Sequence, residues 1–256
     1  MTTKVAAFGP LPILTYHGFG LGHAATTADP EWFVETLDAL AGEGFHCVDL
    51  EAWIRAGRPA VDRGFALTFD DGLASILDVA ERVVHHGFTA TVFVVTDRVG
   101  QENDWPGQPG WVPQERLLSW PELLDLDRSG LRLGAHGRTH RRLGRLDDAT
   151  VADELRGSQD AIEQRTGRAC SLFAYPYGDT SAGVRSQVRT LFDGGLGTCP
   201  GLACLADHPA HLPRVDAYDL RTPAALRSLL EGSLAGRLRL RWVVRAARAC
   251  LVSRPD

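Results

Sequence analysis

"FALTFDDGLASILDVAERVVHHGFTATVFVV", residues Phe65–Val95, decides the fold. It opens as an apolar run that ends in two aspartates and a glycine, the pattern of a buried strand entering a loop. Leu73, Ile76, Leu77, Ala80, Val83 and Val84 then recur at helical spacing, and Gly87 is placed to cap that helix at its C-terminus. The β-branched and aromatic run Phe88–Val95 reads as a second strand. A strand, a helix and a strand in so short a span make a βαβ unit, with parallel strands and the helix outside them.

The alternation extends both ways. "PILTYH" (Pro12–His17) is a strand, followed by a helix from about Glu31 to Gly42 and a strand "FHCVDL" (Phe45–Leu50). Beyond Val95, Asp97–Pro113 is rich in glycine and proline, carries two tryptophans, and reads as a long functional loop. Ser119 and Glu122 form a capping-box pair at the start of a helix. "LRLGAH" (Leu131–His136) is a strand and about Asp147–Thr166 a long helix. "SLFAYPYG" (Ser171–Gly178), a helix near Ala182–Leu191 and "HLPRV" (His211–Val215) complete the pattern. The fold class is α/β with mostly parallel strands, and its chemistry belongs at their carboxyl ends.

Composition sets bounds. At 44% hydrophobic and 23% charged, 256 residues suit one large domain. A formal net charge of -5 argues against a general nucleic-acid surface. The amino terminus has no continuous apolar region before Pro10 and Pro12, so no signal peptide is read and the expected compartment is the cytoplasm. Cys47, Cys170, Cys199, Cys204 and Cys250 are odd in number and scattered, as free thiols in a reducing compartment are.

Polar groups collect at the predicted strand ends: His17, the pair Asp70-Asp71, and His136 with His140. Adjacent ionised aspartates at the end of a buried strand repel each other, and a divalent cation offsets that most simply. Both can approach one ion only where the strand breaks, and Gly72 permits the break. Histidines four apart share one face of a helical turn. Two imidazoles and a carboxylate leave coordination positions open, which suits zinc or another first-row metal. Each piece alone reads more often as a turn, a cap or a solvated face; their joint placement at strand ends is the signal.

"LTFDDG" (Leu67–Gly72) and "HGRTHRRL" (His136–Leu143) resemble the first two motifs of the polysaccharide deacetylases, the NodB-homology group of carbohydrate esterase family 4. "FAYPYG" (Phe173–Gly178) resembles the third, and "LPRVDAYD" (Leu212–Asp219) a late segment of many members. The resemblance implies a distorted (β/α)7-type barrel and metal-dependent removal of an acetyl group from an N-acetylated sugar. By position it implies Asp71, His136 and His140 as metal ligands and Asp70 as general base. It also implies the Tyr177 N–H as an oxyanion donor, with Pro176 fixing the turn that presents it. Zinc is the first expectation, with nickel, cobalt and iron as alternatives.

Two departures from the pattern matter. The third motif lacks the arginine many members place there, and Arg214 is available to orient Asp70 instead. No histidine follows Asp219 to match the late Leu-x-His motif. A subset of the family is circularly permuted, with that strand at the amino terminus, and "ILTYH" (Ile13–His17) resembles it. His17 is then the expected proton donor to the leaving amine, facing Asp70 across the site.

On this reading the barrel spans residues 1–231, and 232–256 form a basic C-terminal helix. That segment carries six arginines and, before Asp256, no acid. It packs on the barrel or, through residues 236–254, meets an anionic membrane surface. The expected partner is an N-acetylated glycan or glycolipid; Trp105, Trp111 and Trp120, in or beside the long loop, suit stacking on sugar rings and suit core or lid packing equally well. A metal amidohydrolase of a small non-sugar amide and a non-catalytic carbohydrate-binding relative are the alternatives.

Overall fold

The computed structural model describes residues 10–20 and 26–238. Seven strands form its wall: β1 (Ile13–Tyr16), β2 (Gly64–Phe69), β3 (Thr91–Val94), β4 (Arg132–Ala135), β5 (Leu172–Ala174), β6 (Gly194–Pro200) and β7 (Leu212–Asp216). Each pairs in parallel with the next. β1 pairs with both β2 and β7, which closes the sheet into a (β/α)7 barrel. The helices are α1 (Pro30–Gly42), α2 (Leu50–Arg55), α3 (Leu77–His85), α4 (Trp120–Ser129), α5 (Asp148–Thr166), α6 (Ala182–Leu191), α7 (Ala217–Leu220) and α8 (Pro223–Leu230).

Side-chain alternation along the strands separates two cores. Ile13, Ala66, Phe93, Leu172, Ala174, Leu196 and Leu212 fill the barrel interior. Leu14, Tyr16, Leu67, Phe69, Val92, Val94 and Phe173 face outward and pack with helix residues such as Phe33, Val79, Leu123 and Leu155. Local signals fix the helix ends. Ser119 and Glu122 make the capping box of α4, Asp147 caps α5, and Gly87, at φ +69°, follows α3.

Strand membership differs from the sequence pattern in one place. "FHCVDL" supplies only a two-residue strand, His46–Cys47, paired to the start of β2 outside the wall. Asp49 then accepts the Ala52 N–H and turns the chain into α2, which ends the extended run. The missing wall strand is β6, "GGLGTCP", whose glycines hide it from any strand propensity. Those glycines answer to close approach. A Cβ at Gly195 would lie 2.6 Å from the Ala210 carbonyl oxygen, and one at Gly197 would lie 2.7 Å from the His211 ring.

Of the C-terminal helix, Leu234 and Leu238 are buried in the outer core; residues 239–256, with the rest of the arginine pattern, lie outside the described residues. Cys47, Cys170, Cys199 and Cys204 are free thiols. Among the described residues, no helix is long and apolar enough to cross a membrane.

Candidate active site

The site grows out of the barrel's alternation. Ile13 and Ala66 point inward, so Thr15 and Thr68 do too, and their hydroxyls meet at 3.0 Å. One step further along the same faces come His17 and Asp70. Because β1 and β2 run in register, with Tyr16 opposite Phe69, these two leave the rim side by side. His17 Nε2 lies 3.9 Å from Asp70 Oδ2. This corrects the expectation that His17 faces Asp70 from across the site: neighbouring parallel strands deliver both to one side.

Regular alternation would send Asp71 outward. Its φ of +70°, followed by +72° at Gly72, breaks the strand and swings the carboxylate back toward the rim of β4. There Asp71 Oδ1 meets His136 Nε2 at 3.3 Å and His140 Nε2 at 3.2 Å. The three candidate ligand atoms lie within 4.8 Å of one another.

The residues present suit a divalent cation. The Ala174 carbonyl can only accept, so the 2.8 Å contact with His136 Nδ1 makes that nitrogen the donor. In the neutral ring, Nε2 then carries a lone pair toward Asp71 Oδ1, a buried oxygen with no hydrogen-bond donor. Lone pairs converging in a buried place are what a metal ion resolves, and a carbonyl behind the ligating histidine is its usual support. Without an ion the three side chains must balance one another's charge. Burial opposes ionisation of Asp71, yet His140 and His136 hold its carboxyl well below the usual range. Burial disfavours the His136 cation, but Asp71 and Asp70 outweigh it and raise that pKa. Burial dominates at His140 and lowers its pKa, with the His136 charge acting in the same sense.

Asp70 is held separately. Arg214, inward-facing on β7, grips it with two parallel hydrogen bonds, Nη1 to Oδ1 at 2.8 Å and Nη2 to Oδ2 at 2.7 Å. Its Nε–H donates to the Gly197 carbonyl at 2.8 Å, so β6 anchors the clamp. Both side chains are 3% exposed. Burial alone would push the Asp70 carboxyl up; the Arg214 charge, then His136, turn the balance and hold it below the ordinary value.

Pro176, buried, opens a one-turn helix in which Tyr177 takes φ +58°. The Gly178 and Asp179 amides donate to Tyr175 O and Pro176 O within that turn. Tyr177 packs its ring 4.6 Å from that of His140, and the Arg142 guanidinium lies 3.9 Å from the Tyr177 centroid. Of Trp105, Trp111 and Trp120, Trp105 is the one brought to the cluster: it is 3% exposed, with its ring 4.1 Å from His140. Trp111 stands 51% exposed on the same loop, and Trp120 opens α4 with Arg165 over its ring.

Sequence reasoning missed Glu154. It is 3% exposed on α5, and one carboxylate oxygen accepts the backbone N–H groups of Arg138 (2.7 Å) and Thr139 (3.0 Å). The other accepts the Thr139 hydroxyl. All three donors belong to the turn between His136 and His140, where His140 holds a φ of +60°. A Cβ at Gly137 would lie 3.0 Å from Glu154 Oε2, so glycine there lets the carboxylate in. The available signal was an acid among the apolar-face positions Val151, Leu155, Ser158 and Ile162. Glu154→Gln replaces one acceptor oxygen with a donor facing these donors. If the cluster takes a divalent ion, binding of zinc added as the probe is expected to weaken about 10- to 100-fold. Competition against a chromophoric chelator reads this directly, and unchanged affinity in a folded variant would remove Glu154 from the site.

Comparison with known proteins places these residues in a family. The model of the family described as polysaccharide deacetylase matches residues 57–191, just over half of the chain. That span holds Asp70, Asp71, His136, His140 and Tyr177; His17 and Arg214 lie outside it. The peptidoglycan-N-acetylmuramic acid deacetylase PdaC of Bacillus subtilis is 30% identical over 130 residues. The match covers 48% of this chain and only 23% of that relative. Among solved structures, the Streptococcus pyogenes deacetylase PplD, in complex with acetate, superposes with a TM-score of 0.76 at 20% identity. That superposition covers 88% of this chain and 99% of PplD. IcaB from Ammonifex degensii gives 0.71 at 20% identity, covering 89% and 98%. These two likenesses establish the fold, and the matched family model, together with the motifs it spans, shows that the chain belongs to the polysaccharide deacetylases.

Proposed function

We propose that the protein is a metal-dependent N-deacetylase of N-acetylated glycans. The observation that carries this is the meeting of Asp71, His136 and His140 around one carboxylate oxygen, beside a separately clamped Asp70, at the carboxyl rim of a deacetylase-family barrel. A first-row divalent ion held by those three residues would polarise the amide carbonyl and lower the pKa of bound water.

The chain's own groups supply the rest. Asp70, kept ionised by Arg214, takes a proton from the attacking water. The water oxygen bonds to the carbonyl carbon, and the Tyr177 N–H is the donor offered to the oxygen that becomes negative. The C–N bond then breaks as His17 gives a proton to the sugar nitrogen, releasing acetic acid, which ionises to acetate in solvent, and the free amine. Asp70 ends protonated and His17 neutral, so one proton must return from carboxyl to ring. Their 3.9 Å separation suits that return through a single water.

The test is acetate release from chito-oligosaccharides, N-acetylglucosamine glycolipids and simple amides. Release from the glycans, abolished by a chelator and restored by a divalent metal, is expected. Release confined to simple amides, or untouched by chelation, would displace the proposal.

A further inference from the structure

The turn that presents the Tyr177 amide is held from outside itself. Tyr177 takes φ +58° and Gly178 follows at +65°. A tyrosine stays in that left-handed region only where its surroundings over-determine it. One such surrounding is β6: a Cβ at Gly178 would collide with Thr198 Oγ1, so the backbone of the turn presses directly on that strand. The other is the short helical turn Leu143–Arg145, which begins three residues beyond His140.

Asp179 joins the two turns. Its Oδ1 accepts the Gly144 N–H at 2.9 Å, and its Oδ2 lies 3.6 Å from Arg145 Nε and 4.0 Å from Arg142 Nη1. Arg142 in turn lies over the Tyr177 ring. The Arg145 side chain is 74% exposed and that of Arg142 40%, so water screens both ion pairs and they hold little. The bond to the Gly144 amide is the tie. A Cβ at Gly144 would collide with Asp179 Oδ1, although Gly144 has no positive φ that would itself demand glycine. Glycine there serves the approach of this carboxylate. Glu154 meanwhile holds the turn between His136 and His140 from α5, so the candidate metal ligands have a support of their own.

We infer that Asp179 is a positioning residue, which acts through Gly144 to fix the Tyr177 amide where the substrate's carbonyl oxygen becomes negative. The inference rests on the deacetylase reading proposed above. A donor aimed at a developing charge works best when it is already in place, and a displacement of an ångström costs about 10²-fold in rate. Asp179 touches neither the substrate nor the three candidate ligands; its effect passes through the backbone of two turns.

Asp179→Ala is expected to lower kcat about 10- to 100-fold, while KM for chito-oligosaccharides and the affinity for added zinc stay within about threefold of wild type. Asp179→Asn keeps an oxygen for the Gly144 N–H and is expected to recover most of kcat. Gly144→Ala should lower kcat as Asp179→Ala does, and should add nothing when the two are combined, because the atom its methyl meets is gone. Full kcat in Asp179→Ala, or a loss confined to KM or to zinc affinity, would overturn the inference. Additive losses in the double variant, or an asparagine variant as slow as the alanine one, would do the same. If the wild type releases no acetate from glycans, the deacetylase reading fails, and amide hydrogen exchange judges the tie by itself. Asp179→Ala is then expected to speed exchange in residues 142–146 and 175–179 together, on the order of tenfold. Unchanged exchange in either segment would mean that Asp179 does not join them.

Discussion

Asp70→Asn is expected to lower kcat about 10²- to 10⁴-fold while the metal content of the purified protein stays that of the wild type. The substitution keeps shape and removes charge, and Asp71, His136 and His140 are left in place. It also leaves Arg214, 3% exposed, without its carboxylate. A buried charge stripped of its partner costs about 3–5 kcal/mol, so Asp70→Asn should also unfold at lower denaturant. The double variant Asp70→Asn/Arg214→Met separates the two effects: an unpaired guanidinium is no longer buried, so stability returns toward wild type while turnover stays lost. Near-wild-type turnover in Asp70→Asn would remove Asp70 from the base role. A double variant as unstable as the single one would show that the unpaired guanidinium is not what destabilises Asp70→Asn.

Arg214→Met alone should shift the acid side of the activity profile. In the wild type, burial pushes the Asp70 carboxyl up, and the Arg214 charge, with help from His136, holds it below the ordinary carboxylate value. A group with a lowered folded pKa stabilises the fold above its unfolded pKa, and loses that contribution as pH falls through the folded pKa. The wild-type Asp70–Arg214 pair is therefore intact across the neutral range and yields only at strongly acid pH. With methionine at 214 only the weaker pull of His136 and His17 opposes burial, and Asp70 takes up its proton at higher pH. The acid limb of kcat/KM is expected to move toward neutrality, with a larger loss in mildly acid than in mildly alkaline buffer. A uniform loss at every pH would mean that Arg214 positions Asp70 without tuning it.

Alternation of strand and helix was plain in the sequence because each buried face is written in large apolar residues, as in Phe65–Phe69 and Val79–Val84. β6 was not, because its constraint is close approach: Gly194, Gly195 and Gly197 leave room for neighbours and offer no pattern. The aspartates and histidines were legible as a group since each lies at or a few residues beyond the end of an apolar run. What they face was not. Whether His17 stands opposite Asp70 or beside it depends on which strands are neighbours and in what register, and Tyr16 opposite Phe69 decides that. Arg214 could be suspected from a missing arginine in the third motif, but its two-pronged grip needs β7 and β2 on one barrel. Glu154 escaped because it is one of five acids on α5, and its place on the buried face shows it to be packed without saying which donors it meets.

The closure of the barrel through β1 also dictates when a nascent chain gains its site. β1 is the first wall strand to leave the ribosome, and its partner β7 is the last. At about 5–20 residues per second, β1 waits on the order of ten seconds or more for β7. Asp71, His136 and His140 are all made well before then, whereas the guanidinium that steadies Asp70 arrives with the final strand. A chain caught on the ribosome short of β7 would hold the three-residue cluster but lack the arginine clamp, and the open edges of β1 and β6 would be exposed to chaperones and to other strands.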